Sequence, residues 1–151
     1  MNYKVLSKSK TETKKLAASL SLFLHAGDII TLTGDLGAGK TTFVSGLAKA
    51  LKIKDKVISP TFNILKCYFD AKIPLYHIDA YRLENQNINI GLEEYIEGNG
   101  ICVIEWPIYI KPLLNAPHLE IKIINKGGTI REITLSATND RYNKIIEEIM
   151  R

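Results

Sequence analysis

With 151 residues, 46% of them apolar, the chain can bury the core of one ordinary domain and leaves no room for a second. Its formal charge of +4 permits an acidic partner such as a nucleotide or RNA without demanding one, because the lysines read as scattered rather than massed on one helix. No stretch approaches the roughly 18 apolar residues of a membrane span, MNYKVLSKSK lacks an apolar leader segment, and Cys67 and Cys102 stand apart with no C-x-x-C or histidine cluster. A cytoplasmic protein without disulfide framework, zinc site or membrane attachment is expected, with both cysteines as packing residues.

In chain order, Tyr3 to Leu6 reads as a strand and Thr11 to about Leu24 as a helix with Leu16, Leu20 and Phe23 on one face. Ile29-Ile30-Thr31-Leu32-Thr33 is a β-branched apolar run of the kind that forms a buried strand. It runs directly into Gly34-Asp35-Leu36-Gly37-Ala38-Gly39-Lys40-Thr41, which satisfies G-x-x-x-x-G-K-[ST], and then into Phe43, Val44, Leu47, Ala48 and Leu51 at helical spacing. Strand, glycine loop and helix therefore follow in the order that lets a tight loop aim backbone N–H groups at phosphate oxygens. The helix adds its positive N-terminal end to the same anion. Lys40 would reach the β- and γ-phosphates and the Thr41 hydroxyl would ligate Mg²⁺.

Val57 to Tyr68 looks extended but broken at Ser59-Pro60, and Ile73 to Ile78 forms a further strand, the two pairing as a hairpin across Asp70-Ala71-Lys72. Ser59-Pro60-Thr61-Phe62 lies where P-loop proteins carry a nucleotide-sensing loop, with hydroxyls to read the γ-phosphate; a β-turn set by Pro60 is the plainer alternative. If His77-Ile78-Asp79-Ala80-Tyr81-Arg82 is extended, His77, Asp79 and Tyr81 share one side and Arg82 takes the other. A lone histidine is more often structural, so Asp79 is the better candidate to position water or to support Mg²⁺. A short helix over Leu92 to Ile96 should end at Gly98 with positive φ. Ile101 to Ile104 is a second fully apolar strand, and Glu105 at its tip is placed to face the phosphate loop and help hold Mg²⁺. Trp106 reads as core or interface filling. Leu119 to Ile124 and Ile130 to Leu135 form a hairpin about Lys126-Gly127-Gly128, and Asp140 starts a last helix carrying Ile145, Ile146 and Ile149.

Taken together, GDLGAGKTTF, SPTF, HIDAYRL and IEWP, in this order and spacing from about Thr13 to Ala137, resemble the TsaE (YjeE-type) family. Those bacterial ATPases are required for threonylcarbamoyl modification of adenosine in tRNA. The resemblance implies an α/β fold, a single-domain P-loop NTPase with a mixed central sheet flanked by helices. It implies ATP and Mg²⁺ as cofactors, TsaD-like and TsaB-like partners, and tRNA reached indirectly through them. In this scheme TsaD transfers the threonylcarbamoyl group and the TsaE-like subunit supports turnover by binding and hydrolysing ATP. By position, the nucleotide falls on Gly37, Ala38, Gly39, Lys40, Thr41 and Thr42, the metal on Thr41 and Glu105, and catalysis on Lys40, Asp79 and Glu105. Thr13 matches a threonine near the nucleotide pocket, Arg131 an arginine flanking the base, and Ser59 and Thr61 a mobile loop. Asn87 to Ile90 departs from the family pattern in being more polar.

Three other readings share the glycine loop. A small-molecule kinase would want an arginine-rich lid, whereas Arg82 stands far in sequence from Arg131 and Arg141. A GTPase would want N-K-x-D, and Asn125-Lys126-Gly127-Gly128 lacks the acid. A nucleotide-gated adaptor without hydrolysis differs only in the competence of Glu105 and Asp79.

Overall fold

The apolar run Ile29–Thr33 forms the strand around which the sheet is assembled. The computed structural model describes residues 2–151, and all statements of structure concern these. Its strands are β1 (Asn2–Ser7), β2 (Ile29–Thr33), β3 (Leu65–Tyr68), β4 (Leu75–Asp79), β5 (Ile101–Glu105), β6 (Leu119–Gly127) and β7 (Ile130–Ser136). They make one sheet in the order β1-β7-β6-β2-β5-β4-β3. β6, β2, β5 and β4 run parallel, while β1, β7 and β3 pair antiparallel at the flanks, so the sheet is mixed as expected. Every residue of β4 and β5 is buried, and β5 reads as a near-continuous apolar run up to Glu105 whereas β4 buries His77 and Asp79 among its apolar residues; β6, between β7 and β2, alternates Leu119, Ile121 and Ile123 inward with polar residues outward.

Helices α1 (Lys10–Ser21), α2 (Lys40–Ala50) and α4 (Asp140–Ile149) cover one face with Leu20, Phe43, Leu47 and Ile146. On the other face α3 (Glu93–Ile96) and two 3-10 segments, Tyr81–Leu83 and Pro107–Leu113, place Leu83, Ile96 and Ile110 over Ile78 and Ile104. Two helices start on side-chain caps: Ser9 Oγ accepts the Glu12 N–H at 3.1 Å and Asn139 Oδ1 accepts the Tyr142 N–H at 3.0 Å. α2, which begins directly at the end of the glycine loop, has no side-chain cap on its first-turn N–H groups.

Three expectations need correction. The chain from Val57 to Ile64 is not a strand: the Asn63 and Ile64 N–H groups fold back on Pro60 O, and Ile64 takes φ 67° before β3 begins. The segment His77 to Arg82 is not extended throughout, because Asp79 Oδ1 accepts the Tyr81 N–H at 3.0 Å and turns the chain into a 3-10 helix. Tyr81 and Arg82 thus leave the strand, and only His77 and Asp79 share its face. Gly98 does not sit at positive φ; it is needed for space, since a Cβ there would lie 2.7 Å from Glu94 O. Cys102 is buried and Cys67 half-buried, both as free thiols.

Candidate nucleotide site at the glycine loop

Parallel order puts the C-terminal ends of β2, β5 and β4 side by side, with Leu32 beside Glu105 and Glu105 beside Asp79. The glycine loop leaves β2 at this edge, so the topology itself brings loop and strand-tip carboxylates together. Gly39 ends the loop at φ 108°, a left-handed conformation that costs a glycine little, and Gly34 starts it where a Cβ would sit 2.6 Å from Ile123 O.

Lys40 is buried, its ammonium donating to Gly34 O at 2.6 Å, lying 3.9 Å from Glu105 Oε1 and 4.3 Å from the centre of the Trp106 ring. Burial pushes this ammonium below its ordinary pKa, while Glu105, Asp79 and Asp35, in that order, pull it back up. Glu105 and Asp79 are each 3% exposed. His77 Nε2 lies 2.6 Å from Glu105 Oε2. Asp79 Oδ2 accepts from the Thr61 hydroxyl at 2.8 Å and the Ser59 hydroxyl at 3.4 Å. In this structure the Ser59 to Phe62 turn therefore clasps Asp79.

Thr41 is exposed and Thr42 half-buried on the first turn of α2. Arg131 lies on the loop's other flank, and Thr13 is linked to it only through Ser7. Thr13 is buried with its hydroxyl 2.7 Å from Ser7 Oγ, and Ser7 is the strand partner of Arg131. Arg131 Nε donates to Ala38 O at 2.7 Å, and its Nη1 donates to Asn125 Oδ1 and to the Gly128 and Ile130 carbonyls. Arg131 thus braces the glycine loop from the β6–β7 turn. The remaining arginines do not converge here. Arg82 lies over the Phe62 ring at 4.8 Å, and Arg141 is bonded to Asp28 at the opposite end of β2.

A glycine loop on an uncapped helix, two buried strand-tip carboxylates and a lysine between them are features of P-loop proteins, and they fall within the segment that matches a family model. The model for threonylcarbamoyl adenosine biosynthesis protein TsaE aligns with residues 7–133. The chain belongs to the TsaE family. The TsaE protein of Bacillus subtilis is 46% identical over 140 residues, covering 93% of this chain and 89% of that protein. That of Treponema pallidum is 40% identical over 133 residues, covering 87% of this chain and 98% of the relative. A crystal structure of Bacillus subtilis YdiB superposes with a TM-score of 0.87 at 40% identity, covering all of this chain and 95% of the other, which agrees with the α/β P-loop fold.

Within this TsaE site, sequence reasoning passed over three residues. Trp106, read as filling, stands at φ 56° with its ring under the Lys40 ammonium and stacked on Tyr109. Asn125, set aside as half of a failed guanine motif, holds Arg131. His77, ranked below Asp79, is bonded to Glu105; its signal was the two-residue spacing to Asp79 on a strand next to the acid-tipped one.

Proposed function

We propose that this chain is a single-domain, cytoplasmic, Mg²⁺-dependent ATPase supporting threonylcarbamoyl modification of adenosine in tRNA, with TsaD-like and TsaB-like proteins. The observation that carries the reading is the arrangement about Lys40, a buried cation held between Gly34 O, Glu105 and Trp106 at the mouth of an uncapped helix. Phosphate oxygens would replace Gly34 O and Glu105 as its partners, and the backbone N–H groups of Gly37 to Thr42 would close around the same anion.

Two buried carboxylates on adjacent strand tips fit a divalent cation, and the Thr41 hydroxyl fits as its further ligand. Mg²⁺ keeps waters and takes phosphate oxygens, so it needs few protein ligands. Thr41 and Glu105 would hold it, and when bound it neutralises charge on the β- and γ-phosphates. Asp79 would orient the attacking water, but both its oxygens are engaged, one by Thr61 and Ser59 and the other by the Tyr81 N–H. The clasp supports a site completed by partners: docking that moves the Ser59 to Phe62 turn frees Asp79 and can supply a further cation. Completion of phosphoryl-transfer sites in trans raises rates by roughly 10³ to 10⁵.

Steady-state phosphate release tests the reading. The chain alone should turn over ATP slowly, the TsaB–TsaD pair should raise the rate, and Asp79→Ala should remove the rise. Full turnover by the isolated chain, or no response to the pair, contradicts partner completion; phosphate transfer to an added metabolite would instead support a kinase.

A further inference from the structure

We infer that His77 is a positioning residue for Glu105, donating its Nε2–H to Glu105 Oε2 and so keeping Oε1 turned toward the glycine loop. The two oxygens of this carboxylate are already divided in this way, Oε2 lying 2.6 Å from His77 Nε2 and Oε1 3.9 Å from Lys40 Nζ. The imidazole is wholly buried, on the same sheet face as Asp79 and one pleat below it, with Val103 and Lys66 as its register partners on β5 and β3. Because the carboxylate accepts, the ring proton belongs on Nε2, and Nδ1 is left as a bare lone pair; that atom is buried without a partner.

The unpaired nitrogen separates this role from packing. A core side chain that served only to fill space would not strand a ring nitrogen, and an aliphatic residue of similar size would avoid that burden. What imidazole adds at this position is the one bond to Glu105. The bond matters most when Lys40 turns to a phosphate, for Oε1 then loses its neighbouring cation while Oε2 keeps His77. The carboxylate stays aimed at the loop instead of swinging about its terminal torsion, as hydrogen-bonded outer partners do for metal-ligating side chains elsewhere. The inference rests on the reading of Glu105 as the residue that holds the cation.

Titration calorimetry with a non-hydrolysable ATP analogue, in Mg²⁺ and in EDTA, gives the factor by which metal tightens binding, and a thermal melt on each variant reports the fold. Glu105→Ala should abolish the factor. His77→Leu should lower it by about 10- to 100-fold while affinity in EDTA and Tm hold or Tm rises. His77→Gln, whose amide nitrogen can take the place of Nε2, should keep most of it, and His77→Asn, whose amide nitrogen is too short to reach, should not. If Glu105→Ala loses the factor but His77→Leu keeps it, or if Gln and Asn lose it equally, positioning by His77 is overturned while the metal reading stands. If Glu105→Ala keeps the factor, the metal reading falls and this inference with it. Should His77→Leu fail to fold, the Gln and Asn pair alone decides.

Discussion

The loop Gly34 to Thr41 and the turn Ser59 to Phe62 face each other across Asp79 and Glu105, and they are held by different means. Backbone carbonyls anchor the first, with Arg131 on Ala38 O and Lys40 on Gly34 O. The second is tied to the strand tips by hydroxyl bonds to Asp79 and closed on itself at Pro60 O, with Phe62 79% exposed under Arg82 and Ile58, just before the turn, 51% exposed. The difference separates a preformed loop from a latch: on the proposed reading an anion would meet the first loop with its shape already set, whereas the second would exchange its Asp79 contacts before that carboxylate could act.

The sharpest way to break the preformed loop is Lys40→Ala. It removes the proposed charge-assisted contact to the β/γ oxygens and should cost about 3 kcal/mol, or roughly 100-fold, in ATP affinity by calorimetry. Unchanged affinity would contradict the assignment of the loop. Arg131→Ala attacks the same loop from outside, freeing Ala38 O, and should weaken ATP about tenfold and lower Tm by about 3 °C. An affinity loss with no change in Tm would point to a direct contact of Arg131 with nucleotide rather than a brace.

Thr61→Ala should leave ATP affinity within about twofold, since the latch does not build the preformed loop, yet release one of the bonds on Asp79. Hydrogen exchange sharpens the contrast. Amides of residues 58–63 should exchange faster than those of 38–43 in the wild type, and the gap should widen in Thr61→Ala. Equal protection of the two segments would dissolve the comparison.

How much of this was legible in the sequence depends on the range of the interaction. β2, β5 and α2 were readable because burial of β2 and β5 on both faces gives near-continuous apolar runs and α2 carries an apolar face, and the glycine loop because φ at Gly39 and crowding at Gly34 demand glycine. Glu105 could be placed at a strand tip for the same reason, whereas Asp79, read within an extended His77 to Arg82, becomes a strand tip only through the turn at Tyr81. The brace from Arg131 to Ala38 crosses 93 positions and leaves no local mark. The turn of Tyr81 and Arg82 out of the strand hangs on one Asp79 side-chain bond, which competes with extended pairing in a way that alternation does not reveal. The pairing of Ser7 with Arg131, which sets Thr13 one hydrogen bond from Arg131's strand partner, likewise follows from register.

The smallest effect lies away from both loops. Burial pushes the Cys102 thiol up to about 12, so at pH 8 almost none of it is thiolate, the nucleophilic form. Raising the pH toward 12 increases the thiolate fraction; at pH 8 the native protein should resist alkylation at Cys102, with labelling appearing on unfolding. Rapid labelling of the native chain would show that β5 opens locally.

The central claim is that nucleotide turnover here serves tRNA modification, and multiple-turnover formation of threonylcarbamoyladenosine tests it most directly. With TsaD, TsaB, tRNA and a threonylcarbamoyl donor present, wild-type protein and ATP should sustain product beyond one equivalent per complex, whereas Lys40→Ala or Asp79→Ala should leave the reaction at about the level reached without this chain. Equal product with and without it, or full product with both variants, would contradict the account.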